Sequence, residues 1–278
     1  MIYQKGGKEM KAAINGATTM PYSLEEDICA AAEAGFQGIE IWWEKVPKYL
    51  ESHTMEELAA SLKRQHIVPV GICPFLVSPF RDTKKCRETF ERALETAEAI
   101  GCDLITVCPD FRPAGMSVED GRKRHAEEFS WYAGKAQEKN IRLAIEPIAG
   151  HTMVPGPAEA LCLAEMAGSP DNLGIVLDTF HYMRSGITEE AVLSIPKDRL
   201  YIVHINDSQP GMAEELRDAD RLYPYEGCIN LDRYREMLET VGYEGYCSVE
   251  VFRPEYWEQK IKEINKKAFQ SSKRFWKK

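Results

Sequence analysis

Four apolar runs in this chain each end on, or close around, a single ionisable residue, and that repetition constrains the fold more than any other feature. LGIVLDTFH (173–181) passes from an unbroken apolar run into Asp178 and then His181. LAIEP delivers Glu146, YIVHIND delivers His204 and CSVEVF encloses Glu250. A five-residue apolar run with no polar face reads as a strand buried on both sides, the condition of a parallel sheet covered by helices. Successive members lie roughly one βα unit apart, about 30 residues. For Asp178 and His181 alone, a helix-capping aspartate and a surface histidine would be an equally good reading. Four such endings together favour convergence at one edge of one sheet.

Taken in order, the chain supplies eight strand candidates. They are Ala12 to Ala17, Gly38 to Trp43, Ile67 to Cys73 (halted by Pro74), Leu104 to Cys108, Arg142 to Glu146, the 173–177 run, Leu200 to Asn206 and Tyr246 to Phe252. Helical segments alternate with them. Ser23 with Glu26 and Thr54 with Glu57 have capping-box spacing, Gly35 and Gly101 sit at helix ends, and the last helix spans Glu255 to Phe275. Pro47 is expected in a loop. Eight strands, each followed by a helix, with no linker to divide them, predict an α/β fold: a single (β/α)8 TIM barrel over residues 11–278. Residues 1–10 are expected to be a disordered extension. The longest irregular stretch, Asp207 to Gly227, is expected to be a lid or binding loop.

Composition narrows the function. With 35 basic and 44 acidic residues the formal net charge is −9, unfavourable for nucleic acid or an anionic membrane, and neither is expected as a partner. Eight cysteines without a CxxC pair suit a reducing compartment, and no segment has the apolar length of a membrane span, so a cytoplasmic location is expected. Homo-oligomerisation is left open.

An ionised group buried at a strand end is costly unless paired or metal-bound. Carboxylates with one imidazole suit one divalent metal ion: Mn, Mg, Co or Zn. Of the remaining candidates, His151 is either a substrate contact or a solvated loop residue. Trp42 and Trp43 alternate across strand two, so one can wall a pocket while the other packs under a helix. Cys73 and Cys108 read as small hydrophobes. His53, His66 and His125 read as surface residues, and the run Arg122 to His125 as a solvated helix face.

The motifs AIEP, VLDTFH, VHINDS, RLYPYEG and SVEVFRPEYW resemble the xylose-isomerase-like barrel superfamily of sugar isomerases, epimerases and dehydratases across residues 11 to 270. INGATT, VPKYL, DRLYP and FRPEYW are similar to its inosose-isomerising branch. The resemblance implies one divalent ion held by Glu146, Asp178, His204 and Glu250. It also implies substrate contacts from His181 and Arg221, and a small-molecule keto-polyol as substrate. Where relatives commonly carry Pro-Gly-x-Gly, this chain has Pro224-Tyr225-Glu226-Gly227, and Tyr225 is expected to add bulk beside the pocket.

The chemistry also follows from the residues. Moving a carbonyl to its neighbouring carbon takes a proton from one carbon and gives one to the other through an enediolate. Glu146 and Glu250 are the expected catalytic base and acid. The same equipment can expel water from a hydroxy-ketone, so a dehydratase is the alternative. A non-catalytic sugar-binding barrel is a remoter one. An abasic-site endonuclease is disfavoured by six histidines and the acidic balance.

Overall fold

Ser23 and Thr54 open their helices, Leu24–Ala34 and Met55–Arg64, through reciprocal capping boxes with Glu26 and Glu57. Gly35 and Gly101 close helices in the left-handed conformation, at φ 103° and 71°. In this computed structural model, which describes residues 10–276, such helices alternate with strands β1 (Lys11–Asn15), β2 (Gly38–Trp42), β3 (Val68–Val77), β4 (Leu104–Pro109), β5 (Arg142–Ile145), β6 (Leu173–Asp178) and β7 (Leu200–Ile205). A short antiparallel ribbon, β8 (Asp207–Ser208) with β9 (Arg221–Leu222), precedes β10 (Tyr246–Val249). The other eight strands are parallel and close into a barrel in the order β1-β10-β7-β6-β5-β4-β3-β2. This is the expected single (β/α)8 barrel. No helix among the described residues is long and apolar enough to cross a membrane.

Side-chain alternation splits the core in two. Leu173, Ile175 and Leu177 of β6 face the helices, while Val176 joins Ala13, Val70, Leu104, Ala144 and Ile202 inside the barrel. The inward register then carries function upward: two residues beyond Ala144, Val176 and Ile202 stand Glu146, Asp178 and His204. One strand geometry therefore supplies both the apolar floor and the polar upper layer.

Several local expectations are corrected. β3 does not stop at Pro74 but runs on to Val77, its pairing with β4 slipping between Ile72 and Phe75. Proline has no N–H to give the ladder, and the strand resumes beyond it. Pro47 lies in the first turn of a short helix, Lys45–Tyr49, where no intrahelical donor is needed. A helix, Thr179–Arg184, follows β6 at once, and the last helix is two, Pro254–Trp257 and Ile261–Trp276. His125 is buried rather than solvated, on the same helix stripe as Phe129, Tyr132 and Ala136. Met10, grouped in sequence with the extension, is buried and accepts a contact from Cys247 Sγ at 3.6 Å. Residues 1–9 lie outside the described residues.

The segment between Asp207 and Gly227 is ordered by more than the ribbon. Asp207 accepts backbone N–H bonds from Gly227 and Ile229, both at 2.8 Å. A side chain at Gly227 would sit 2.1 Å from the Ser208 carbonyl oxygen, so only glycine allows this approach.

Candidate metal centre

Glu146, Asp178, His204 and Glu250 meet at the C-terminal mouth of the barrel, with one ligand atom from each within 4.8 Å of all the others. His204 Nδ1 is the hub. It lies 3.1 Å from Glu146 Oε1, 3.2 Å from Glu250 Oε2 and 3.8 Å from Asp178 Oδ2. Glu146 follows the last residue of β5 and Glu250 follows the last residue of β10, while Asp178 and His204 lie in β6 and β7. The backbone of the next helix, Thr179–Arg184, helps directly: Asp178 Oδ1 caps it by accepting from His181 N at 2.8 Å. Its Oδ2 remains for the cluster, so capping and cluster membership coexist in one carboxylate.

Sequence reasoning missed a fourth carboxylate, the fifth member of the buried group. Glu40, wholly buried on the inward face of β2, lies 3.0 Å from His204 Nε2. A signal was present, since Glu40 interrupts the apolar run GIEIW as Glu250 interrupts CSVEVF. Thr18 was missed as well. Its hydroxyl donates to the Val249 carbonyl at 3.0 Å and accepts from Val251 N at 3.1 Å, gripping both neighbours of Glu250.

The cationic partners are few. Arg221 enters from the ribbon, donating from Nη1 to Asp178 Oδ2 at 2.7 Å and to Glu250 Oε2 at 3.2 Å. Its guanidinium lies between the rings of Phe180 and Phe252, 4.7 and 5.4 Å from their centroids. His181 lies against Arg221 Nη2 at 3.1 Å. Trp42, two residues above Glu40 on the same face of β2, packs edge-on against Phe252 with centroids 5.7 Å apart. His151 stands apart from this group. It is buried, with Nδ1 accepting from Met153 N and Val154 N and Nε2 3.2 Å from the Asp110 carbonyl, so backbone engages both ring nitrogens. Cys108, half-buried, donates from Sγ to Glu146 Oε2 at 3.6 Å, and Cys73 Sγ accepts from Asn15 Nδ2 at 3.1 Å. Tyr225 turns away from the mouth: its hydroxyl meets Asp232 at 3.2 Å and its ring lies under Arg274, both on outer helices.

Charge is unevenly met. Burial pushes Glu250 up to about 7 and is only partly offset by His204 and Arg221, while the nearby Glu146 pushes it further. Burial would raise Glu146 too, but the hydrogen bond and charge of His204 hold it below the usual range. Burial acts likewise on Asp178, where the charges of Arg221, His181 and His204 win and keep it low. Burial opposes a proton on His204, yet Glu250, Glu40 and Glu146 raise it well above an ordinary histidine. Four buried carboxylates thus have one guanidinium and the imidazoles of His204 and His181 near them. A divalent cation among these oxygens and Nδ1 fits the donor set and supplies the missing charge.

A closed parallel barrel with a Glu-Asp-His-Glu group at its mouth defines a class of metal-centred TIM barrels. The chain belongs to the xylose isomerase-like TIM barrel family, whose model matches residues 28–278. It is similar to the inosose isomerase of Bacillus velezensis, 30% identical over 266 residues that cover 93% of this chain and 94% of that protein. The 3-dehydroshikimate dehydratase of Pseudomonas putida is 27% identical over 87% of this chain but only 37% of its own length. Among solved structures, an IolI protein with a binding zinc atom superposes with a TM-score of 0.89 at 27% identity, covering 96% of this chain and 98% of that one.

Proposed function

We propose that this protein is a divalent-metal-dependent isomerase or epimerase of keto-polyols, inosose-type cyclitols or ketoses, working through an enediolate. The observation that carries the reading is the placement of both Glu146 and Glu250 beside His204 Nδ1, at 3.1 and 3.2 Å, with opposite shifts in proton affinity. Glu146, Asp178, His204 and Glu250 are the residues that would hold Mn, Mg, Co or Zn, and the ion, when bound, supplies the positive charge that stabilises the enediolate oxygens. Similarity to inosose isomerases over nearly the whole chain supports the substrate class.

Glu146, the more acidic of the two, accepts the proton from the carbon beside the carbonyl. Glu250 delivers a proton to the former carbonyl carbon, and the neighbouring hydroxyl, on becoming the new carbonyl, passes its proton to the former carbonyl oxygen, which is left as a hydroxyl. Arg221 and His181 orient substrate hydroxyls from the ribbon side. Trp42, with Phe252, offers an apolar wall to the C–H face of a cyclic polyol. His151 holds its loop through backbone bonds and supports the mouth indirectly. The eight free cysteines support a reducing, cytoplasmic setting.

Dehydration is the second reading, favoured by the similarity to 3-dehydroshikimate dehydratase. Incubation of the metal-loaded protein with an inosose in D2O separates the two. Isomerisation shifts the carbonyl at constant composition and leaves deuterium on carbon. Dehydration yields a product lighter by one water, and no change in an inosose or in a ketose removes the enzymatic reading.

A further inference from the structure

We infer that Glu40 is a positioning residue that presents Nδ1 of His204 as its metal-binding atom. The inference deepens the metal-centre reading and rests on it. Glu40 contributes no atom to the four-residue group, is shielded from solvent, and reaches across the barrel from β2 to β7. Both its oxygens face His204 Nε2, at 3.0 and 3.2 Å.

The chain is built to hold Glu40 in this pose. Asn15 Nδ2 donates to Glu40 Oε2 at 3.2 Å, and Asn15 is itself fixed by accepting from Ala17 N at 2.9 Å. On the other side Glu40 is paired in register with Gly71 of β3. A Cβ at Gly71 would lie 3.2 Å from Glu40 Oε1 and 3.3 Å from its Cγ, tighter than side chains ordinarily tolerate. Gly71 therefore leaves the space that the Glu40 side chain occupies.

The consequence follows from imidazole chemistry. A neutral imidazole carries its proton on one nitrogen and its lone pair on the other. In the neutral form of the ring that binds an ion, Nε2–H is donated to Glu40, so the lone pair of Nδ1 points towards Glu146, Asp178 and Glu250 and the ring plane is locked. A carboxylate behind a ligating histidine is a recurrent arrangement, and its loss typically weakens metal binding about 10- to 100-fold. A carboxylate that served only to pair a buried charge would affect the fold and leave ion affinity alone.

The test compares parent, Glu40→Gln and Glu40→Asp, each stripped of metal and titrated with Mn2+ against a competing chelator, with melting of the stripped proteins in parallel. Glu40→Asp keeps the charge but cannot span the distance, and it serves if the glutamine variant does not fold. A loss of about 10- to 100-fold in Mn2+ affinity for the variants, with stripped-protein melting close to parent, is the expected result. Parent-like affinity in a folded variant overturns the inference. So does a loss of affinity that only tracks lost folding of the stripped protein. A parent that takes up no ion contradicts the metal-centre reading itself, and the inference with it.

Discussion

The Thr18 hydroxyl is bonded to the backbone on both sides of Glu250, donating to Val249 O and accepting from Val251 N. The loop bearing Thr18 is anchored in turn by Lys45, whose ammonium donates to the carbonyls of Gly16 and Thr19 and to Asp27 Oδ2. Glu250, just beyond the end of a strand, has its own N–H on the Ile205 carbonyl at 3.3 Å, and Thr18 adds the bonds on either side of it. Thr18→Val keeps the shape and removes both bonds, so it should cost about 1–3 kcal/mol in urea unfolding. Turnover should fall with little change in KM, and Thr18→Ser should recover both.

Glu146→Gln and Glu250→Gln are each expected to lower turnover by at least about 100-fold at saturating metal, the typical contribution of a positioned proton-transfer group. Far-UV circular dichroism should stay that of the parent, because neither side chain belongs to the apolar core. Near-normal turnover in both variants would remove the acid–base assignment.

Arg221 is the one arginine in contact with the Asp178 and Glu250 carboxylates among the described residues, and it is itself buried. Arg221→Met leaves two buried carboxylates short of their partner. A loss of about 3–5 kcal/mol is expected in the metal-stripped protein, with a smaller loss once a divalent ion shares the same oxygens. Lysine should rescue poorly, since it cannot reproduce the guanidinium fork or its stacking between Phe180 and Phe252. Unfolding followed with and without metal checks both statements.

Two histidines outside the centre set an acid limit on stability. Burial lowers the proton affinity of His125 and of His151 below the ordinary value. The unfolded chain takes up protons near pH 6.5 that the folded chain refuses, so their stability contribution is present above that pH and is lost as pH falls below it. His125→Phe and His151→Asn should each show a shallower decline in unfolding free energy between pH 7.5 and 5.5 than the parent. An unchanged slope in both would contradict this.

The barrel was legible because its strands announce themselves by short apolar runs, and the four cluster residues because each is the lone charge at the end of such a run. Glu40 carried the same mark but shared GIEIWWEK with Glu44, and no local rule says which glutamate points inward. His125 hid among Arg122, Lys123 and Arg124, although its spacing to Phe129 and Tyr132 marks the buried stripe. The pairing of Asp207–Ser208 with Arg221–Leu222 joins segments more than a dozen residues apart, and nothing in either dipeptide signals a strand. Tyr225 was misplaced for a similar reason: its backbone takes a left-handed conformation, φ 67°, that turns the ring outward.

The central claim is that four distant side chains hold one divalent ion on which turnover depends. Its most direct test is to strip the protein with a chelator, titrate Mn2+ back, and follow both bound metal and carbonyl migration on an inosose. One equivalent per chain, with turnover rising in step and lost when Asp178 is changed to asparagine, is the expected result. Full turnover in the stripped protein, or uptake of the ion unaffected by Asp178→Asn, would contradict it.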